Sequence, residues 1–179
     1  MAMNELTAFL ATLATTDPNA PTRCEGWTTH DLLAHMVAGT EEMTRLIEQS
    51  VAGGAVSPTR GFAVREAPWR AAPDVELRAA FLDVGASFVT ALDCLPDDEL
   101  VPFTGWAMTS QQLRLHARSE LALHRWDLVG DDVTSRRLLD QPDLLAHGRA
   151  VLAHMPTLRE ARRAPLPGDD LLAIWGRRS

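Results

Sequence analysis

The sequence predicts an all-α protein, a bundle of long helices with extra short helices. Three observations predict it. Apolar residues recur at helical spacing through several long stretches, helix-start signals stand ahead of two of them, and no convincing set of alternating strand patterns is present. Several amphipathic helices without a sheet to cover must bury their apolar stripes against one another, and a bundle does that.

The first helix is expected from about Asn4 to Ala14, with Leu6, Phe9, Leu10 and Leu13 at helical spacing. Pro18 and Pro21 then open a loop. Thr28 followed three residues later by Asp31 resembles a capping box, with Trp27 where a hydrophobic staple belongs, so a second helix starts there and continues to about Ser50. Gly53, Gly54, Pro58 and Gly61 mark the longest irregular stretch, expected to extend to Pro73. A third helix, about Val75 to Leu95, carries Leu77, Phe81, Val84, Phe88 and Leu92 on one face, and Pro96 ends it. The segment DDELVPFTGWAM reads as a loop. Thr109 with Gln112 is a second start signal, for a helix from about Ser110 to Val129 that stops at GDD. A fifth helix, about Pro142 to Ala161, the breaker-rich APLPGDD and a short terminal helix, LLAIWGR, complete the chain. These boundaries divide it into a helical bundle, residues 1–162, and a tail, residues 163–179.

Composition narrows the function. The 179 residues are 46% hydrophobic and 23% charged, an ordinary globular balance, and the formal net charge is −7 with acidic and basic residues interspersed. Nucleic-acid binding needs Arg and Lys gathered on one face, so no nucleic-acid partner is expected. No stretch approaches the roughly 20 apolar residues that span a bilayer, so no membrane partner is expected. Cys24 and Cys94 lack CxxC spacing and read as reduced thiols. The N-terminus lacks the basic start and apolar run of a signal peptide, and a cytoplasmic protein is expected.

The chemistry concentrates in HARSELALHRWD. Glu120 and His124 are four residues apart, so about 40° separates them around a helix and both project from one face. Leu113, Ala117, Leu121 and Leu128 lie on or beside that face, which should point at the core. A carboxylate there is costly unless a cation or hydrogen bonds compensate it. His35, near the face formed by Leu32, Gly39 and Leu46, offers a third donor. Two imidazoles and a carboxylate suit Zn²⁺ with one position open, and Ni²⁺, Mn²⁺ or Fe²⁺ would also accept the set. Without a metal, hydrogen bonds from protonated His35 and His124 to Glu120 would serve. Asp127, beside His124 on the wheel, either orients a ligand or pairs with an arginine such as Arg125. Glu42, two turns after His35, is a candidate general base or a solvated charge. His116, four residues before Glu120, reads as a flank residue.

The stretches PTRCEGWTTHDLLAHM and ELALHRWDL resemble the mycothiol-dependent maleylpyruvate isomerase family within the DinB-like superfamily. In that family a Gly-Trp-Thr helix start leads to the first metal-binding histidine, and the last long bundle helix supplies Glu and His four apart. Carried over, these are His35, Glu120 and His124. The resemblance covers roughly residues 5 to 160 and implies a DinB-like four-helix bundle with up-down-down-up connectivity. It also implies a divalent metal, usually Zn²⁺, and a mycothiol-type low-molecular-weight thiol as cosubstrate. Longer family members carry a further C-terminal domain, of which the short tail here looks like a remnant. The function implied is thiol transfer to, or isomerisation of, a small electrophile, with Asp127 and Glu42 as candidate catalytic residues. The alternative is a non-catalytic metal-binding bundle acting as a dimeric binding or stress protein, and a homodimer is compatible with either.

Overall fold

The structure is a computed structural model that describes residues 4–154 and 171–177. In chain order the described residues form α1 (Glu5–Leu13), α2 (Thr29–Val51), α3 (Phe62–Ala71) and α4 (Asp74–Cys94), then strands β1 (Val101–Phe103) and β2 (Trp106–Met108). These are followed by α5 (Ser110–Val129), α6 (Val133–Leu139), α7 (Pro142–His154) and α8 (Leu171–Ile174). The all-α reading is correct, with one small hairpin added. No described helix is long and apolar enough to cross a membrane. The chain divides into two compact units, Asp17–Leu113 and Met1–Thr16 with Arg114–Ser179, and the division falls inside α5.

In the first unit α2 begins where the cap predicts. The Thr28 side chain accepts the Asp31 amide at 3.2 Å, and the Asp31 carboxylate accepts the Thr28 amide at 2.9 Å. Its buried face carries Leu32, Leu33, Val37, Leu46 and Ile47, and α2 packs on α4 and β1. Leu77, Phe81, Phe88 and Leu92 of α4 are buried in turn. Each such side chain stabilises the fold by about 1.5–3 kcal/mol through removal of apolar surface from water.

The stretch expected to stay irregular up to Pro73 contains α3. Its burial is inverted relative to an ordinary amphipathic helix. Arg65 and Glu66 are buried, whereas Phe62 and Val64 are exposed. Polar contacts dock it on α2: Glu66 on His35, Arg70 on Asp31, and Trp69 Nε1 donating to Glu41 at 3.1 Å. Apolar periodicity had nothing to detect here, and Pro68 inside the helix reads as a breaker.

The loop reading of DDELVPFTGWAM is likewise corrected by the hairpin. Val101, Phe103, Trp106 and Met108 are buried while Pro102 and Ala107 are exposed, a period-two pattern over strands of three residues each. The turn places Thr104 at φ 49° and Gly105 at φ 92°. A two-residue turn with both φ positive matches the twist of the paired strands, which is why glycine stands at the second position.

In the second unit Glu5 of α1 is buried, and Arg118 of α5 and Gln141 donate to it at 2.8 Å each. After Gly130 the chain does not simply stop: Asp132 caps the unforeseen α6 by accepting the Ser135 amide at 2.6 Å. The end of the expected fifth helix beyond His154, and APLPGDD, lie outside the described residues. The expected terminal helix is present as α8. Gly148 of α7 admits it, because a Cβ there would meet Ile174, Leu171 and Trp175 at 3.0–3.2 Å.

His147 on the buried side of α7 shares a 3.3 Å contact with His116. Burial, with the neighbouring His116, pulls its pKa from 6.5 to about 4 against the pull of Glu120. A depressed histidine stays neutral in the fold while the unfolded chain takes up a proton, so stability falls as pH drops from about 6.5 towards 4. The loss amounts to at most about 3 kcal/mol. Urea denaturation of the wild type and of His147→Gln should show the pH slope in that window shrinking in the variant. Equal slopes would place the histidine's titration elsewhere.

Candidate metal centre

Helical spacing sets His116, Glu120, His124 and Asp127 along one side of α5. His124 is almost fully buried, at 2% exposure, whereas the Glu120 side chain keeps 21%. Both imidazole nitrogens of His124 face carboxylates. Nδ1 lies 2.9 Å from Asp127 Oδ2, and Nε2 lies 3.1 Å from Glu120 Oε2. An ionised carboxylate only accepts, so Nδ1 carries the hydrogen and donates it to Asp127. In the neutral ring the Nε2 lone pair then faces an oxygen lone pair of Glu120.

That juxtaposition is unfavourable unless a proton or a cation lies between the two atoms. A divalent ion satisfies both, and donors at Zn-ligand distances sit about 3.3 Å apart in a tetrahedral shell, close to the observed separation. The donor set of this helix therefore fits a metal. His116 faces the other side of Glu120, its Nε2 4.0 Å from Oε1, and stands against the Trp175 ring at 5.7 Å.

Asp127 is fully buried. Burial would raise its pKa, but the His124 hydrogen bond and the Arg177 cation outweigh that and hold it at about 2. Asp127 meets both His124 and an arginine. The arginine is Arg177, at 3.1 and 3.3 Å, not Arg125. Arg125 turns instead to Asp132, at 2.7 and 2.9 Å, and to Ser135.

His35 belongs to the other unit, on α2. Its Nδ1 lies 2.7 Å from Glu66 Oε1, and its ring meets Trp27 at 5.2 Å and Phe62 at 5.6 Å. The second Glu66 oxygen accepts from Arg70 at 2.9 and 3.1 Å. Burial opposes ionisation of Glu66, yet His35 and Arg70 lower its pKa below the usual glutamate value. The same unit of construction thus occurs twice: His35–Glu66–Arg70 and His124–Asp127–Arg177. Each fixes the proton on Nδ1 and leaves Nε2 as the donor, the arrangement that orients metal-binding imidazoles in general.

Glu42, offered by the sequence as a general base or a solvated charge, has another place. It is fully buried, and its carboxylate accepts from Arg45 at 2.6 and 3.0 Å, from the Arg60 amide at 2.7 Å and from Arg60 Nε at 2.6 Å. Burial raises its pKa but these donors hold it at about 2, so it is a weak base at neutral pH. Glu66, Arg70 and Arg177 escaped the sequence reading. The Glu66–Arg70 spacing of four was a usable signal, hidden in a segment read as loop; nothing local pointed to Arg177 as the partner of Asp127.

An all-α protein with carboxylate-backed histidines on its long helices is the class that fold and site define. Within it, residues 1–129 match the family described as mycothiol maleylpyruvate isomerase N-terminal domain, and the chain belongs to that family. Among solved structures it is similar to a histidine-to-alanine mutant of the mycothiol-dependent maleylpyruvate isomerase. The TM-score is 0.66 at 16% identity, over 83% of this chain and 65% of that one. The likeness shows the shared DinB-like bundle fold. This chain spans about two thirds of that structure's length. No curated protein matches the sequence.

Proposed function

We propose that the protein binds one divalent metal ion, Zn²⁺ before Ni²⁺, Mn²⁺ or Fe²⁺, through His35, Glu120 and His124. The ion serves an enzyme that uses a mycothiol-type thiol on a small electrophile, by transfer or isomerisation. The observation that carries the reading is His124 held between two carboxylates, with Asp127 claiming Nδ1 and Glu120 facing Nε2. The matching backing of His35 by Glu66 supports it, as does family membership.

When bound, the ion would supply an open Lewis-acid position that favours the thiolate form of a thiol at neutral pH. The chain's own residues do the rest. Glu66 and Asp127 fix the imidazole tautomers, and Glu120 offsets part of the ionic charge while keeping solvent access on its exposed edge. Trp27 and Phe62 place apolar ring surface against the His35 imidazole. Glu42 is assigned to the scaffold and not to proton transfer.

Elemental mass spectrometry on protein purified without a histidine tag tests the first half. About one equivalent of metal is expected. Incubation of loaded and chelator-stripped protein with mycothiol and small α,β-unsaturated acids then tests the second, by the loss of free thiol or by isomer ratio. Metal without thiol chemistry would leave the non-catalytic bundle as the reading. A protein that stays metal-free on reconstitution would overturn the proposal and return Glu120 to a hydrogen-bonded partnership with protonated histidine.

A further inference from the structure

The geometry points to Arg177 as a positioning residue of the metal centre, an inference that rests on the metal-binding reading above. Three observations within one unit carry it. First, the Arg177 guanidinium meets Asp127 through two nitrogens, Nη2 to Oδ2 at 3.1 Å and Nε to Oδ1 at 3.3 Å. A planar fork on a planar carboxylate fixes its rotation, which a single donor does not. Second, Oδ2 of that carboxylate also accepts Nδ1 of His124 at 2.9 Å, so the orientation of the carboxylate sets the plane and tautomer of the imidazole. Third, the segment bearing Arg177 is seated independently of this contact. Leu171, Leu172, Ile174 and Trp175 are buried, α8 lies in the gap left by Gly148, and Trp175 stands against His116.

Arg177 therefore works as the outer link of a chain that ends on His124 Nε2, as Arg70 does for His35 through Glu66. In this reading the segment 171–177 is a working part of the metal centre, which holds one of its ligands in register from outside the long helix.

The test compares wild type, Arg177→Ala and Arg177→Lys, each checked for native helicity and thermal midpoint. Zn²⁺ affinity is measured by competition with a chromophoric chelator, and the Co²⁺-loaded forms are compared by visible absorption. Arg177→Ala is expected to bind Zn²⁺ about tenfold more weakly or worse, in the range seen when an outer partner of a ligand is lost. Its Co²⁺ bands should shift, and Arg177→Lys should recover only part of the affinity because it offers no fork. Gly148→Leu, which displaces α8 without touching Asp127, should reproduce the loss. Affinity within threefold of wild type in a folded Arg177→Ala, with unchanged Co²⁺ bands, would overturn the inference. Should wild type bind no metal at all, the reading beneath fails separately. Nitrogen-15 NMR of the metal-free protein then still reads the clamp. A His124 ring held as the Nδ1–H tautomer in wild type and released in Arg177→Ala supports it, and identical tautomers in both overturn it.

Discussion

His124→Ala is expected to abolish stoichiometric metal binding, with affinity lower by about a hundredfold or more, beyond what loss of an outer partner costs. The side chain is the joint of the site: its Nε2 is a proposed donor, and its Nδ1 is the hydrogen-bond donor that helps keep the buried Asp127 carboxylate ionised. Alanine removes one ligand and leaves Asp127 to Arg177 alone. Glu120→Ala should lose metal to a similar degree, because it removes the anionic donor while leaving the two imidazole relays intact. The two variants differ in their second effect. Glu120 is partly exposed, so its loss should change stability little, whereas His124 is buried and packed, and its truncation should destabilise by about 2–4 kcal/mol. Elemental analysis and chelator competition measure the first property, and urea denaturation of the stripped proteins measures the second. Retention of one equivalent in either variant would exclude that residue from the ligand set.

Glu42→Gln should cost about 2–3 kcal/mol at pH 7, for a reason unconnected with metal. The carboxylate is fully buried and receives hydrogen bonds from Arg45 and Arg60 on both oxygens. Its pKa is lowered from 4.5 to about 2, so its contribution is complete above about pH 4.5 and is lost as pH falls towards 2. The stability gap between wild type and Glu42→Gln should accordingly be widest at neutral pH and close on acidification across that window. Arg60 belongs to the segment before α3, and Arg45 also donates to the Pro58 carbonyl at 3.3 Å. Amide exchange over residues 57–61 should therefore speed up in the variant. A gap that does not narrow below pH 4 would mean that packing, and not the charge of Glu42, holds the segment.

Glu42 also shows where reading a sequence stops. Two turns from His35 on one helix, it looks like a base, because spacing reports which face a residue occupies and nothing of what arrives there from elsewhere. Arg60 arrives from 18 residues away and Arg45 from the next turn, and together they turn a candidate base into a buried anchor. Asp127 is the converse case. Its neighbour His124 was visible at a spacing of three, but Arg177 is 50 positions distant. Local rules govern the long helices. The Thr28–Asp31 and Thr109–Gln112 boxes and the apolar stripes of α2 and α4 involve residues close in sequence, so α1, α2, α4 and α5 were legible within a residue or two.

The sequence by itself determined the long amphipathic helices, their starts, the family and the candidate donors His35, Glu120 and His124. These rest on periodicity, capping and motif spacing, all short-range in the chain. Only the tertiary structure decided α3, the 101–108 hairpin and the partners Glu66, Arg70 and Arg177. α3 buries charge instead of apolar surface, and the hairpin strands are three residues long, so neither carries a pattern that hydrophobicity can register. The relays behind the histidines join residues 31 and 50 positions apart. Such pairings follow from how packed elements meet, a choice made by the whole core and written in no single segment.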